Sequence, residues 1–242
     1  MCKTRKKPSS IRARPFQKIR TVCAGRRSRE LDITSQETAR AVTAPELTSK
    51  SSVVDELLTH DEARHLIRSA SNRAPTGIRN RALIAMMYRV GLRPGEVLAL
   101  DVRDINLDEG TVSIPARKSG AGRVTGIDAQ TVDLVRRWIA RRERLGIADA
   151  AFLFCTLAGE ELKAAYVREL LPRLARRAEI TKRVHPLGLR YACAAEMSAE
   201  GFSTALIEMH LGVAVSGSAR RYLVQYSQDE AIAAVRSREW RL

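Results

Sequence analysis

The stretch that decides the fold of this chain is GIRNRALIAMMYRVGLRPGEVLAL, residues 77 to 100. Its first part is almost wholly apolar and ends at Gly91, which is a typical helix stop. A helix that is apolar on all sides is buried, so residues 77 to 91 predict a central element of the core. The residues that follow predict a second, short helix with Pro94 in its first turn.

The sequence on either side of this stretch adds one small sheet and more helices. Residues 102 to 128 alternate like strands, with turn residues at 108–110 and 119–122, and predict two hairpins of a three-stranded antiparallel sheet. Upstream, Thr59 is a predicted N-cap for an amphipathic helix with Ala63, Leu66 and Ile67 inward. The fold class is therefore α+β and mostly helical. Further helices are predicted over residues 129–145, 162–176, 189–200, 203–210, 217–225 and 228–239.

Composition favours a polyanionic partner. The chain has 242 residues, a net charge of +15 and a pI near 10.4. Clustered Lys and Arg bind phosphates with release of counterions, so nucleic acid is the first candidate and an anionic membrane surface is the alternative. No apolar run is long enough to span a membrane and no hydrophobic segment follows the basic N-terminus. We therefore expect a cytoplasmic protein without a membrane partner.

The basic residues are unevenly distributed along the chain. Residues 1 to 49 are rich in Lys and Arg, show almost no apolar periodicity and contain no acidic residue before Glu30. This composition predicts a disordered basic arm, followed by one globular domain over residues 50 to 242. The arm is either a solvated tail or a segment that contacts phosphates without sequence preference.

Cysteine and histidine spacing gives no sign of a metal site. The four cysteines lie far apart without a C-x-x-C pair, and the four histidines show only a weak pair at His60 and His65. Reduced thiols are expected at the cysteines. We therefore predict no metal and no cofactor.

Four residues suggest phosphoryl-transfer chemistry. Arg93 directly follows the helix stop at Gly91, Arg190 opens an apolar helix, and Lys118 lies in a hairpin turn. Two guanidinium groups bind the oxygens of a phosphodiester, a lysine protonates a leaving alkoxide, and a tyrosine oxygen attacks phosphorus. The tyrosine candidate is Tyr222 in SARRYLVQY, residues 218 to 226, which alone is typical of a core residue.

These residues lie in segments that resemble the motifs of one family. GLRPGEVLALDVRDIN, at Arg93, resembles the first box of the tyrosine recombinases, the phage integrase family. Lys118 matches the family's hairpin lysine, with Arg123 at the usual following position, and GLRYACAAEMSAEG resembles the second box, at Arg190. LGVAVSGSARRYL resembles the last box, in which the nucleophile comes nine residues after a histidine, and this spacing selects Tyr222 over Tyr226. The resemblance covers roughly residues 55 to 242.

The resemblance implies a fold, a reaction and residue roles. The fold is the catalytic domain of the DNA breaking-rejoining enzymes, and the reaction passes through a 3′-phosphotyrosyl intermediate without a cofactor. Arg93 and Arg190 clamp the phosphate, Lys118 is the general acid, Tyr222 is the nucleophile, and Glu96 orients Arg93. The implied partners are double-stranded DNA and further recombinase subunits, either copies of this chain or other members of the family.

The sequence departs from the family pattern at three positions. Leu187, Tyr191 and Val213 stand where histidines are usual in the family; tryptophan is also found at the last position. His185 and His210 lie two and three residues from vacant positions, and a shift of that size points a side chain elsewhere, so we interpret both as structural. The first 49 residues do not resemble the helical clamp domain that usually precedes the catalytic domain.

Two hypotheses follow, and a third is weaker. The first is a site-specific DNA recombinase with impaired catalysis. The alternative is a catalytically degenerate DNA-binding relative, which occupies sites or partners an active recombinase. A basic helical RNA-binding protein would leave the order and spacing of the four motifs as coincidence.

Overall fold

The structure is a computed structural model, and it describes residues 57–116, 122–213, 228–240 and 242. Three strands, β1 Ile105–Asn106, β2 Thr111–Ile114 and β3 Arg123–Gly126, form an antiparallel sheet in the order β1-β2-β3. The predicted mostly helical fold with one small three-stranded sheet is therefore confirmed. The helices of the described residues are α1 His60–Arg68, α2 Pro75–Arg89, α3 Pro94–Val97, α4 Ala129–Arg144, α5 Ala164–Arg177, α6 Pro186–Ala199, α7 Thr204–Leu211 and α8 Gln228–Arg236.

Helix α2 lies at the centre of the domain. Every residue from Ala82 to Val90 is buried, and the helix packs against α1, α4 and α6. It ends at Gly91, which has a positive φ of 65°. This φ favours glycine, and a Cβ atom at Gly91 would come 2.3 Å from Leu211 Cδ2, so the Leu211 side chain on α7 would have to shift. The central helix thus brings the residues that follow it next to the end of α7.

Side-chain caps explain where α1 and α6 begin. Thr59 caps α1 as predicted: its hydroxyl accepts from the Glu62 amide at 3.2 Å, and the Glu62 carboxylate accepts from the Thr59 amide at 2.7 Å. Helix α6 begins at Pro186, three residues before the predicted start, because the His185 side chain caps it. The predicted helix over 217–225, the predicted arm over 1–49 and most of the predicted turn over 119–122 lie outside the described residues.

No helix within the described ranges is long and apolar enough to cross a membrane.

A buried ionic layer joins the residues after α8 to the core. Arg238 is 5% exposed and donates to Glu200 at 2.6 Å, to Glu196 at 3.3 Å and to the Arg89 carbonyl at 3.0 Å. Its neighbour Trp240 is equally buried and donates from Nε1 to an Asp128 oxygen at 2.8 Å. These contacts fix the residues after α8 against α2 and α6.

We expect Arg238→Gln to lower the free energy of unfolding by about 2 to 3 kcal/mol, because it removes the buried guanidinium that Glu196 and Glu200 share, while Arg89 still lies 2.9 and 3.4 Å from these two carboxylates. The matched control is Arg236→Gln, an exposed position two residues earlier, which should change stability by less than about 0.5 kcal/mol. Urea unfolding followed by circular dichroism measures both. Equal stability of the two variants would show that this ionic layer does not stabilise the fold.

Candidate functional site

Arg93 begins the site at the start of α3. Its backbone amide donates to a Glu96 carboxylate oxygen at 2.8 Å, and its Nη1 donates to the other oxygen at 2.9 Å. The Arg93 side chain is 38% exposed, so its guanidinium is oriented by Glu96 and still accessible to a ligand. The contact between Glu96 and Arg93 that the sequence suggested is present.

Glu96 also holds a second guanidinium. Arg123, the first residue of β3, donates from Nη1 and Nη2 to the two Glu96 oxygens at 3.0 and 3.2 Å. Its Nε donates to the His210 carbonyl at 3.2 Å. Burial opposes the charge of Glu96, but hydrogen bonds from Arg123 and Arg93 outweigh it and lower its pKa to about 2. Arg123 therefore ties the sheet to α3 and to the end of α7.

Arg190 lies under the site on α6. It is 4% exposed, and its Nη1 and Nη2 each donate at 2.6 Å, to the carbonyls of Gly91 and Leu211. Burial, followed by the charge of Arg93, lowers its pKa to about 10, so Arg190 keeps its charge at neutral pH. A guanidinium has five N–H bonds, and the carbonyl contacts use two of Arg190's.

The turn between α2 and α3 brings the two arginines together. Arg190 binds the carbonyl of Gly91, and Arg93 follows Gly91 by two residues. Glu96 binds both Arg93 and Arg123, so all three guanidinium groups share one region. The site is therefore positively charged, and each oxygen of the Glu96 carboxylate accepts two hydrogen bonds, one from Arg93 and one from Arg123.

The positions of the missing histidines lie at the surface. Among the described residues five large apolar or aromatic side chains are exposed, and three of them are Leu187, Tyr191 and Val213, at 44%, 52% and 44%. Leu187 and Tyr191 are one turn apart on α6, on either side of Arg190 in the sequence. Val213 follows Leu211, whose carbonyl holds Arg190. Leucine and valine give this region no hydrogen-bond donor.

The two neighbouring histidines are used within the fold. The His185 ring accepts from the Gly188 amide at 3.1 Å and caps α6. His210 is 2% exposed, and its Nδ1 lies 2.5 Å from the Thr125 hydroxyl on β3. Burial, with the charges of nearby arginines, lowers its pKa to about 3, so the ring is neutral at pH 7.

Lys118 and Tyr222 lie outside the described residues, so the structure places neither of them. The described chain resumes at α8, where the Gln228 side chain donates to the Val124 carbonyl of β3. In the ranges that the structure describes, no group of three or more His, Cys, Asp or Glu residues is arranged to hold a metal ion.

We expect the stabilisation by Glu96 to depend on pH. Because the folded-state pKa of about 2 lies below the ordinary 4.5, the contribution is complete above about pH 5 and is lost as the pH falls toward 2. The stability advantage of the wild type over Glu96→Gln should shrink by about 2 kcal/mol between pH 7 and pH 3. Urea unfolding at pH 7, 5 and 3 measures this difference.

The control for this prediction is Glu109→Gln, at an exposed turn outside the arginine contacts. Its stability relative to the wild type should stay nearly constant over the same pH range. A difference between wild type and Glu96→Gln that does not change with pH would show that the carboxylate charge adds nothing to the contact.

Three comparisons place the chain among known proteins. The model of the phage integrase family matches residues 56–228. Tyrosine recombinase XerD of Ralstonia nicotianae is 33% identical over 161 residues, which cover 66% of this chain and 52% of the relative. The chain thus spans about half the length of this curated relative.

Solved structures agree with the family match. The crystal structure of XerA recombinase has a TM-score of 0.61 at 24% identity, over 74% of this chain and 62% of that chain. XerH site-specific recombinase, solved on its difH substrate before cleavage, has a TM-score of 0.57 at 25% identity, over 69% of this chain and 49% of that chain. The predicted recombinase catalytic-domain fold is confirmed by these likenesses.

Proposed function

We propose, because the chain belongs to the phage integrase family, that it binds duplex DNA and acts on it as a site-specific tyrosine recombinase. The observation that carries the proposal is the site around Glu96, where Arg93 is oriented but accessible and Arg190 is fixed beneath it. Two guanidinium groups held in one region suit the non-bridging oxygens of a phosphodiester. The XerD relative is named a tyrosine recombinase, and XerH was solved on its DNA substrate.

The proposed reaction is a transesterification. The Tyr222 oxygen attacks phosphorus and gives up its proton to solvent, the bond from phosphorus to the 5′ oxygen breaks, and Lys118 protonates that leaving oxygen to give a 5′-hydroxyl. Arg93 and Arg190 stabilise the charge that develops on the non-bridging oxygens. The phosphotyrosyl ester has the same kind of bond as the ester that was broken. Attack by a 5′-hydroxyl therefore restores a phosphodiester without a cofactor.

We propose further that the reaction is slow. Leu187 and Val213 occupy positions where the family supplies imidazole donors, and both side chains are exposed and apolar. The arginines still provide charge for binding, so affinity for DNA and the rate of cleavage should be affected differently. The exposed apolar side chains equally favour the second candidate, a DNA-binding relative that partners an active recombinase.

We also propose that the protein works in the cytoplasm as an oligomer on DNA, with copies of itself or with other recombinase subunits. Two further proposals concern the chain as a whole: residues 1–49 form a basic arm, and residues 50–242 form the catalytic domain.

The experiment that tests the function is covalent trapping. A binding site is first selected from a pool of random duplexes by the chain itself, and a nick is then placed close to each candidate cleavage position, on its 3′ side. The short fragment that carries the 5′-hydroxyl diffuses away after cleavage, so even a slow enzyme accumulates as a covalent complex on a denaturing gel. A covalent complex that accumulates slowly supports the recombinase. Tight binding with no band after prolonged incubation would favour the DNA-binding relative.

A further inference from the structure

A second basic surface lies at the other end of α2. Residues 63 to 95 contain seven arginines and no Asp or Glu. Three of these arginines lie at or near the turn between α1 and α2. Arg68 ends α1, Arg73 lies in the turn, and Arg81 lies on α2, less than three helical turns after the turn. The local sequence therefore concentrates positive charge at this turn without any acidic neighbour.

Other helices add arginines to the same turn. Arg137 of α4 donates to the Asn72 carbonyl at 3.5 Å, and Arg177 of α5 donates to the Ser69 carbonyl at 3.2 Å. Arg173 lies one helical turn before Arg177, and both side chains line a small cleft beside the turn. We call this surface the turn patch, and its members are Arg68, Arg73, Arg81, Arg137, Arg173 and Arg177.

The charge of the turn patch is not neutralised within the described part of the chain. There, none of its six arginines forms an ion pair, whereas Arg64, Arg93 and Arg136 each lie within 3.1 Å of a carboxylate. Among the described residues, the buried Arg81 Nε has no hydrogen-bond partner. Burial and the charges of Arg137 and Arg68 lower the pKa of Arg81, which shows that these groups repel one another. A bound polyanion would relieve this repulsion.

The start of α2 adds to this potential. The helix begins after Ala74 with no side-chain cap and no acidic residue in its first turn. A small cleft of about 240 Å³ opens beside it, and Ser71, Thr76 and Arg173 are among the residues that line it. The positive end of the α2 dipole therefore lies among arginines, and both favour an anion.

The composition of the patch favours nucleic acid over protein. The exposed large apolar side chains of the described residues are Val124, Leu157, Leu187, Tyr191 and Val213, and none belongs to the patch. A protein interface normally has an apolar or aromatic centre, while a surface for the DNA backbone is polar and strongly positive. The patch also has no aromatic side chain for stacking on bases. It therefore suits the phosphates of a duplex and reads no sequence.

The patch is separated from the site at Arg93 and Arg190. A helix rises 1.5 Å per residue, so the ends of α2 at Pro75 and Arg89 are about 21 Å apart with the buried core along the helix between them. Duplex DNA is stiff over this length, since bending a site of 20 to 30 base pairs by about 40 to 90° already costs on the order of 1 to 6 kcal/mol. Two separate segments avoid that cost.

We propose that the turn patch binds the phosphate backbone of a second duplex segment, while a first segment occupies the site at Arg93 and Arg190. The second contact is independent of sequence and needs no cleavage. The chain then holds two pieces of DNA at once through opposite ends of one helix. This goes beyond the proposed recombinase reaction, and it depends only on the first segment being bound.

A bridging experiment tests the proposal. A biotinylated duplex with the selected site is fixed on beads and saturated with full-length protein, and a fluorescent duplex of unrelated sequence is added. The patch variant carries Arg68→Gln, Arg73→Gln and Arg173→Gln; the control carries Arg103→Gln, Arg144→Gln and Arg236→Gln, which are exposed and remove the same charge. We expect capture of the second duplex to fall at least tenfold in the patch variant only. The slope of the logarithm of the second duplex's affinity against the logarithm of salt concentration should also become shallower by about 2 to 3, because each arginine that is removed loses one phosphate contact.

The outcomes separate this proposal from the function. No capture by the wild type, or equal capture by patch and control variants, would overturn it and leave the patch for an acidic protein. Loss of the first duplex in the patch variant would also overturn it, because the patch would then contact the same segment. Failure of the wild type to bind the first duplex would contradict the proposed function instead. Unfolding midpoints of both variants verify that they fold.

Discussion

Replacing Tyr222 with phenylalanine should abolish covalent attachment to DNA, while Tyr226→Phe should leave it intact. The phenol oxygen forms the bond to phosphorus, and phenylalanine has no atom that can replace it. The two tyrosines are only four residues apart, so both are candidates for the nucleophile. Only the nine-residue spacing from Val213 selects Tyr222. Trapping on the nicked duplex measures the effect, and mass spectrometry of the attached peptide identifies the residue.

DNA affinity provides the control for this prediction. Both variants remove one hydroxyl and keep the ring, so each should bind the selected duplex within about twofold of the wild type, a difference of about 0.4 kcal/mol. A covalent complex that persists in Tyr222→Phe would overturn the assignment, and a complex lost only in Tyr226→Phe would assign the nucleophile to Tyr226.

The elements that depend on local periodicity were predicted well. The apolar run before Gly91 became the buried helix α2, and the contact between Glu96 and Arg93 follows from a separation of three residues. Capping explains the largest shift of a helix start, the three residues at α6: His185 was interpreted as structural, but its role as the cap of α6 was not foreseen. A histidine directly before proline is a weak sequence signal for a cap.

The contacts that were not predicted join residues far apart in the sequence. Arg123 reaches Glu96 across 27 residues and the His210 carbonyl across 87. Nothing in the sequence near Arg123 specifies these partners, because they depend on how the sheet packs against α3 and α7. The turn patch has the same origin, since Arg137 and Arg177 reach the turn from other helices. Spacing and the family resemblance therefore selected Arg93, Arg190 and Glu96, whereas only packing shows that Arg123 shares Glu96 and that backbone carbonyls hold Arg190.

Restoring the two histidine positions should give a large gain in rate. At pH 7 a tyrosine with a pKa near 10 needs help to attack, and hydrogen-bond donors that strengthen as charge develops on the phosphate supply part of it. Losing one such donor typically costs about 10² to 10³ in rate, or roughly 3 to 4 kcal/mol. We therefore expect Leu187→His with Val213→His to raise single-turnover cleavage by about 10⁴ to 10⁶ if the two donors act independently.

A matched control separates chemistry from general effects of surface histidines. Val124→His with Leu157→His makes the same side-chain changes at positions that are 40% and 42% exposed, close to the 44% of both Leu187 and Val213. Since all four positions are exposed, both double variants should keep the fold and the DNA affinity, and only the first should gain rate. The gain should also disappear when Tyr222→Phe is added, because the donors act on a reaction that the tyrosine starts. A wild-type rate typical of active recombinases, or no gain in a folded and DNA-binding Leu187→His, Val213→His variant, would show that these two positions do not limit the chemistry.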